Sequence, residues 1–170
     1  MIILYHGSNC EVRKPDPKRG RFLTDFGQGF YLTPDMNEAR AMAERTIART
    51  GEGRPVISAY SFDAGLAGDF RLRVKTLNGM DLEWMNFVIA NRNCDRNAPD
   101  HNLNSIYDVV IGFIADDRIR RLMILYQHGL ISSEAILARM KDQPWRVMQY
   151  SFHTARAVKF LKLKEVWNER

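Results

Sequence analysis

The hydrophobic positions of this chain alternate between strand-like and helix-like spacing, without the regular repeat of a doubly wound sheet. Short apolar or alternating runs predict strands at residues 2–6, 30–33, 56–62, 106–115, 145–152 and 159–167. Helical spacing predicts helices at residues 37–49, 80–91, 117–128 and 132–140, and a short turn or helix at 154–158. No G-x-G-x-x-G sequence opens a helix after a strand, so a Rossmann domain is not supported. The elements predict one α+β domain over residues 1–170.

Boundary residues support these elements. Asp35 precedes the helix at 37–49 and Gly51 follows it, while Ser132 is placed to cap the helix at 132–140. Two prolines and a glycine predict an irregular loop at 15–20, and a polar stretch predicts another at 91–104. The helix at 80–91 places Leu82, Met85, Val88 and Ile89 on one face. Asp108 is expected to make a buried hydrogen bond, or alternatively to contact an acceptor.

The composition is that of an ordinary globular protein, with 45% hydrophobic and 26% charged residues. No apolar run is long enough to cross a membrane, and no signal-like segment opens the chain, so we expect a soluble cytoplasmic protein with no membrane partner. The formal net charge of +5 favours an anionic partner, such as a dinucleotide or a nucleic acid, although a solvated basic surface is the simpler explanation of the charge.

Metal chemistry is not expected from the cysteines and histidines. Cys10 and Cys94 show no ligand spacing with each other or with a histidine, and the four histidines form no HExxH-like pair. The sequence therefore predicts two ordinary free cysteines, no metal site and no disulfide framework.

Three segments combine polar or aromatic residues with strand-like runs. They are Leu4-Tyr5-His6-Gly7-Ser8, Phe26-Gly27-Gln28-Gly29-Phe30-Tyr31-Leu32-Thr33 and Met148-Gln149-Tyr150-Ser151-Phe152. A nicotinamide site needs an aromatic ring to stack on the pyridinium, backbone groups to hold the carboxamide, and hydrogen bonds to the ribose. It also needs negative potential where positive charge develops as nicotinamide leaves. Each residue alone is more often structural, and only the ordered set indicates a site.

The ordered set resembles the His-Tyr-Glu motifs of the ADP-ribosyltransferase superfamily, in the branch shared by diphtheria-type toxins and poly(ADP-ribose) polymerases. The segment from Phe26 to Leu32 is similar to the polymerase motif phenylalanine-glycine-lysine-glycine-isoleucine-tyrosine-phenylalanine. The chain as a whole is most similar to a compact bacterial family of unknown function within that superfamily. The resemblance implies a split antiparallel sheet with flanking helices, and NAD as the ADP-ribose donor. Its motifs lie at both ends of the chain, and the middle third adds little.

The resemblance also implies a role for each matching residue. His6 would bond the ribose next to nicotinamide, the Gly7 backbone would hold the carboxamide, and Ser8 would add a hydroxyl. Tyr31 would stack on nicotinamide, with Gly29 beside it in the cofactor-binding segment. Gln149 would occupy the catalytic acid position.

Two departures from the family pattern matter. Met42 falls where the polymerases have a second stacking tyrosine, which weakens the expected sandwich around the ring. Gln149 replaces a glutamate and brings no formal charge, and loss of one well-aimed electrostatic group commonly costs about 100-fold or more in rate. This argues against polymer synthesis. Four carboxylates elsewhere are candidate replacements: Asp25, Asp116, Asp117 and Glu134.

The sequence leaves three hypotheses about function. The first is a mono-ADP-ribosyltransferase, by analogy a bacterial intracellular toxin with an antitoxin partner, that modifies a protein or nucleic-acid acceptor. The second is a catalytically silent module that binds NAD or ADP-ribose. The third is a basic nucleic-acid-binding protein with no nicotinamide pocket, although no aromatic-interleaved basic stripe in the sequence supports it.

Overall fold

The strands of the chain form two separate sheets. A computed structural model describes residues 1–65, 70–141 and 147–168. Within them the strands are β1 (Ile2–Ser8), β2 (Phe30–Leu32), β3 (Val56–Phe62), β4 (Val74–Thr76), β5 (Val109–Phe113), β6 (Met148–Phe152) and β7 (Lys162–Asn168). One sheet has the order β1-β3-β7 and the other β2-β6-β5-β4. Neighbouring strands are antiparallel, except for the parallel pair β4 and β5. The expected α+β class is confirmed, with two mostly antiparallel sheets.

Helices cover both outer faces of the two sheets. They are α1 (Met36–Thr50), α2 (Leu82–Arg92), α3 (Asp117–Gln127), α4 (Ser133–Lys141) and the short α5 (Ala155–Val158). Asp35 caps α1, because its carboxylate accepts from the Asn37 N–H at 2.8 Å, and Gly51 ends the helix in the left-handed region at φ 71°. The Ser132 hydroxyl accepts from the Ala135 N–H at 3.2 Å, as the predicted cap requires.

Two apolar clusters hold the layers together. The first lies between the sheets and joins Leu4, Tyr60 and Phe62 to residues of the other sheet such as Phe152. The second lies on the far face of the β2-β6-β5-β4 sheet and is built mainly from α2, α3 and α4, with Phe26, Leu77 and Val110. Helix α1 packs on the outer face of the β1-β3-β7 sheet. The order of layers is therefore helix, sheet, sheet, helices.

Several predicted boundaries differ from the structure. Strand β4 was not predicted, because three residues carry too little periodicity. The predicted strands at 106–115 and 159–167 begin later, at Val109 and Lys162. The predicted loop at 15–20 contains a 3-10 turn, Pro17–Arg19, because the Asp16 carboxylate caps it. Residues 145 and 146 of the strand predicted at 145–152 lie outside the described residues.

Two side-chain expectations have different outcomes. Leu82 is 39% exposed, so the predicted buried face of α2 is wrong at that residue. Trp84 and Phe87, which were not assigned to that face, are buried. Asp108 is buried and accepts from the Arg73 N–H and the Thr154 hydroxyl, both at 2.8 Å. Burial raises the pKa of Asp108, but bonds from Arg73, Arg156 and Thr154 outweigh burial and lower it. The buried hydrogen bonding expected of Asp108 is confirmed.

Candidate functional site

Strands β1 and β2 part from each other immediately after a single bridge. Tyr5 and Thr33 exchange two main-chain hydrogen bonds of 2.7 and 2.9 Å, and continuing this antiparallel register would place Gly7 opposite Tyr31. No main-chain hydrogen bond joins Gly7 to Tyr31 among the described residues. Because main-chain groups alternate between the two edges of an antiparallel strand, Gly7 and Tyr31 direct their N–H and C=O groups into this gap. The gap between the sheets is thus lined by main-chain donors and acceptors.

His6 spans the start of the gap with its imidazole. Its Nδ1 lies 2.7 Å from the Tyr31 carbonyl oxygen, and its ring lies 4.3 Å from the Phe30 ring between centroids. A carbonyl only accepts, so Nδ1 carries the proton. Burial lowers the pKa of His6, more than the bond to Tyr31 raises it, and the ring is neutral at pH 7. Its Nε2 is therefore left as a hydrogen-bond acceptor.

Tyr31 is fixed by its hydroxyl to the loop that precedes it. The hydroxyl accepts from the Phe26 N–H at 3.0 Å, donates to the Gly27 carbonyl at 2.7 Å, and lies 2.9 Å from the Thr24 hydroxyl. Gly27 has φ +87°, which explains the glycine in this turn. Burial raises the pKa of Tyr31 far above its ordinary value, so the phenol stays protonated. The ring orientation is set by the protein before any ligand arrives.

Gln149 lies on β6, two residues before Ser151, and Ser151 pairs with Tyr31 in the sheet. The side chains of Gln149 and Tyr31 therefore lie on the same face of the sheet. Its Nε2 donates to the Asp25 Oδ2 at 2.7 Å and to the Phe113 carbonyl at 3.3 Å. Both partners are acceptors only, which fixes the amide with its nitrogen toward them. No donor to the Gln149 Oε1 atom is recorded among the described residues. The structure therefore holds this side chain by its nitrogen.

Asp25 is one of the four candidate replacement carboxylates, and it is the one that touches Gln149. Its Oδ1 pairs with the Arg92 guanidinium, with 2.6 Å to Nε, and its Oδ2 also accepts from the Ala115 N–H at 3.0 Å. Asp25 is 5% exposed, and its charge is balanced by Arg92. Its oxygens are thus occupied by protein donors. No local pattern predicts the pairing of Asp25 with Arg92, because the two residues are 67 positions apart.

The other three carboxylates have structural or surface roles. Asp116 caps α3 by accepting from the Ile119 N–H at 2.8 Å, and exposed Asp117 pairs with Arg120 at 3.2 Å. Glu134 lies in the first turn of α4 and bonds the Ser133 hydroxyl at 3.1 Å. No hydrogen bond recorded in the described chain links any of these three to Gln149.

The glycines of the motifs have packing roles of their own. A Cβ at Gly7 would lie 1.7 Å from the Ala39 carbonyl oxygen, because α1 packs directly on β1. A Cβ at Gly29 would lie 2.7 Å from the His153 Nδ1. Met42 is 38% exposed on the turn of α1 that covers Gly7. Ser8 makes only a marginal contact, 3.5 Å to the Asn9 side chain.

His153 is a buried residue of this region that the sequence did not single out. Its Nδ1 lies 2.8 Å from the Gln28 carbonyl and its Nε2 lies 2.8 Å from the Ser151 hydroxyl. Burial lowers its pKa to about 4. Gln149, Ser151 and His153 alternate along the chain, and this period of two in polar residues was the available signal.

Two concavities lie elsewhere on the surface. One, of about 460 Å³, lies past the end of β1 and is bounded by residues that include Cys10, Arg54 and Asn168. The other, of about 220 Å³, lies beside Ser61 and Lys162. Neither includes His6, Tyr31 or Gln149.

Within the described ranges no helix has the length and apolarity needed to span a bilayer.

Comparison with known proteins assigns the chain to a family. A family model described as Protein of unknown function (DUF3990) matches residues 2–163. The chain belongs to this family. No curated protein and no solved structure matches it. The DUF3990 match covers all three motif segments, from His6 to Gln149, so these segments belong to one family domain.

Proposed function

We propose that this DUF3990 chain binds NAD at the gap between β1 and β2 and transfers ADP-ribose to a macromolecular acceptor. The observation that carries the proposal is the pair of strand edges at Gly7 and Tyr31, which face each other with no main-chain hydrogen bond between them. The neutral His6 occupies the Tyr31 carbonyl, which leaves the Gly7 N–H and C=O and the Tyr31 N–H without a recorded partner among the described residues. Unpaired main-chain groups at such a place require a polar partner. A carboxamide has a C=O acceptor and an NH2 donor side by side. These two groups can pair with the N–H and the C=O of one residue at a strand edge.

The residues present fit the nicotinamide half of NAD. The Gly7 N–H and C=O would pair with the carboxamide, and the anchored Tyr31 ring would stack on the pyridinium. The Nε2 of His6 would accept from a hydroxyl of the adjacent ribose. We also propose that the whole chain has the expected ADP-ribosyltransferase-like split sheet. The division of the strands into two sheets joined by the single Tyr5–Thr33 bridge supports this fold.

In the proposed reaction the bond between nicotinamide N1 and ribose C1′ breaks, and its electron pair leaves with nicotinamide. A bond forms between C1′ and a nucleophilic atom of the acceptor, whose proton passes to solvent. His6 and Gln149 would orient the sugar. Gln149 has no charge and Asp25 is neutralised by Arg92, so the site offers little to stabilise the developing cation. A slow, single transfer therefore fits better than polymer synthesis.

The same neutralisation favours a second candidate, a module that binds NAD without turnover. It requires the gap, His6 and Tyr31 but no charge at Gln149. The two candidates predict equal NAD affinity and differ in nicotinamide release.

The test is incubation of the purified protein with NAD labelled in the adenylate and a cell lysate, followed by separate protease and nuclease digestion. The matched variants are His6→Ala and His128→Ala, the latter at an exposed histidine that ends α3. Label that His6→Ala abolishes and His128→Ala retains would support transfer, and the effective digestion would identify the acceptor. NAD binding without label or nicotinamide release would select the silent module. Absence of NAD binding by the folded wild type would refute both.

A further inference from the structure

A small concavity with basic walls lies toward the opposite end of β1 from the candidate site. Its volume is about 220 Å³. Ser61, which lines it, pairs with Ile3, and Gly7 lies four residues further along β1, about 14 Å away. The other lining residues come from the segment after β3, the turn before β7 and the start of β7, and include Asp63, Arg71, Lys159, Phe160 and Lys162. We call this site the basic concavity, and it is separate from the gap between β1 and β2.

Ser61 contributes a hydroxyl that lacks a partner. The residue is 2% exposed, and no hydrogen bond of its Oγ atom is recorded among the described residues. In that part of the chain it is the only buried side-chain nitrogen or oxygen in this state. The large majority of buried polar side-chain atoms in folded proteins have a hydrogen-bond partner, so an exception needs an explanation. A polar group bound in the basic concavity would supply the partner.

Lys162 lies directly beside Ser61. The two residues pair across β3 and β7, so their side chains are neighbours on one face of the sheet. Lys162 is exposed, as is Lys159 in the turn before β7, and the Phe160 N–H holds that turn by donating to the Ala157 carbonyl at 3.1 Å. No ion pair of either lysine is recorded in the ranges that the structure describes. Two ammonium groups without a counter-charge therefore border the concavity that Ser61 lines.

Arg71 and Phe160 add a third cation to the walls. The central carbon of the Arg71 guanidinium lies 5.6 Å from the centre of the Phe160 ring, which is the distance of a cation–π contact. Asp63 is the one carboxylate among the described lining residues, and its Oδ1 atom accepts from the Gly65 N–H at 3.0 Å. Three cationic side chains and one carboxylate thus surround the concavity. Such a surplus of positive charge in a cleft attracts anions.

We propose that the basic concavity binds the phosphate group of a phosphate monoester, with Ser61, Lys159 and Lys162 as hydrogen-bond donors. A phosphate monoester carries a charge of about −1.5 to −2 at pH 7 and three strong acceptor oxygens, whereas a carboxylate has one charge and two oxygens. The volume of about 220 Å³ is below the roughly 300–1,000 Å³ of sites that enclose a whole drug-sized ligand. The concavity therefore suits the phosphate group, with the rest of the molecule outside. This inference does not depend on NAD binding.

The test is calorimetric titration of the whole protein, in phosphate-free buffer, with AMP, inorganic phosphate and adenosine. AMP and adenosine differ only in the phosphate monoester, so AMP and phosphate should bind and adenosine should not. The lysine variant is Lys159→Gln with Lys162→Gln. Its matched control, Lys14→Gln with Lys164→Gln, removes two exposed charges that do not line the concavity. Each charged hydrogen bond contributes about tenfold or more, so the lysine variant should weaken AMP binding about 100-fold, and the control about twofold at most.

Ser61→Ala tests the hydroxyl separately. The variant should bind AMP about tenfold more weakly, because a hydrogen bond to a charged acceptor is lost. Without ligand it should unfold at the same temperature as the wild type or higher, since it no longer buries an unsatisfied hydroxyl. A purely structural hydroxyl would give the opposite result, a lower unfolding temperature with unchanged AMP affinity, and would contradict the proposal.

The relative affinities identify the source of the phosphate. Equal affinities for AMP and inorganic phosphate would support recognition of the phosphate group alone, and tighter binding of AMP would support a nucleotide ligand. Thermal unfolding checks that every variant is folded.

Four outcomes would overturn the proposal. They are adenosine binding as tight as AMP binding, equal losses in the two lysine variants, no binding of AMP or phosphate by the folded wild type at millimolar concentration, and displacement of AMP by NAD. NAD has a diphosphate and no phosphate monoester, so the last outcome would assign the concavity to the dinucleotide. If the wild type binds AMP but not NAD, the proposed function fails while phosphate binding by the basic concavity stands.

Discussion

Gln149 donates its amide to Asp25 across 2.7 Å, between two side chains that are both more than nine-tenths buried. The pair explains why an uncharged residue suits position 149. Asp25 is already bound to Arg92, and a second carboxylate at 149 would face it directly. The neutral residue at 149 and the acidic residue at 25 are therefore matched to each other.

Gln149→Glu is accordingly expected to destabilise the fold rather than to increase activity. Two carboxylates at this distance cannot both ionise easily, and an uncompensated buried charge costs on the order of 3 kcal/mol. The pKa of the new glutamate would be raised. The free energy of unfolding of the variant should therefore approach that of the wild type at low pH, and fall below it as pH rises through the raised pKa. Urea unfolding of both proteins at several pH values measures the difference.

The control for this prediction is the exchange Asp25→Asn combined with Gln149→Glu. The asparagine donates where the aspartate accepted, and one carboxylate remains between the two positions. We expect the double variant to be more stable than the sum of the single effects by about 1 kcal/mol or more. Additive effects would mean that the 2.7 Å bond carries no coupling.

The sequence predicted the strands that carry the candidate site residues, because strands depend on local pattern. His6, Gly7 and Tyr31 stand in short segments whose strand periodicity is visible, and the structure places them at the edges of one gap. Gln149 was placed on the correct strand for the same reason. In each case the backbone period of the strand determines where the residue faces.

Contacts between distant segments could not be predicted. Asp25 was one of four candidate carboxylates. It is the partner of Gln149 because its bonds to Arg92 and Ala115 hold it next to that residue. Those bonds depend on how α2 and the strand β5 are placed against the loop, which no local pattern contains. Strand β4 was missed in the same way, because its parallel pairing with β5 comes from the sheet and not from its three residues.

Tyr31→Phe is expected to loosen the loop at residues 24–29 while keeping the aromatic ring. Without the hydroxyl, the Phe26 N–H loses its acceptor, and an unsatisfied donor costs about 1–3 kcal/mol. Tyr150→Phe on the neighbouring strand is the control, since no hydrogen bond of the Tyr150 hydroxyl is recorded among the described residues. Thermal unfolding should show a loss for the first variant only. If both variants unfold alike, the hydroxyl does not anchor the loop.

Gly7→Ala is expected to unfold at much lower denaturant concentration, whether or not NAD binds. The new Cβ would overlap the Ala39 carbonyl, so α1 must move away from β1 at a cost of about 3 kcal/mol or more. Gly51→Ala is the comparison, because it meets no atom within 4 Å and adds only the cost of a left-handed conformation, about 1 kcal/mol. Equal midpoints in urea would show that α1 is not held tightly. His6, not Gly7, is therefore the residue with which to test ligand binding.

His153 should make the stability of the protein depend on pH. Its pKa is about 4 in the fold against the ordinary 6.5, because burial disfavours the charged ring. Below pH 6.5 the unfolded chain binds a proton that the folded chain does not, so stability is complete above 6.5 and falls as pH decreases toward 4. Between about pH 7.5 and pH 5 this residue should remove about 2 kcal/mol from the free energy of unfolding.

The measurement is urea unfolding at both pH values for the wild type and His153→Gln, which cannot titrate. His6, whose pKa is lowered in the same direction, and the carboxylates remain in both proteins, so the difference between their pH dependences isolates His153. The variant is expected to be less stable at neutral pH, because it loses bonds to the Gln28 carbonyl and the Ser151 hydroxyl. Its stability should nevertheless fall less on acidification. Parallel loss in the two proteins would mean that the His153 ring accepts a proton inside the fold, and that its surroundings solvate the charge.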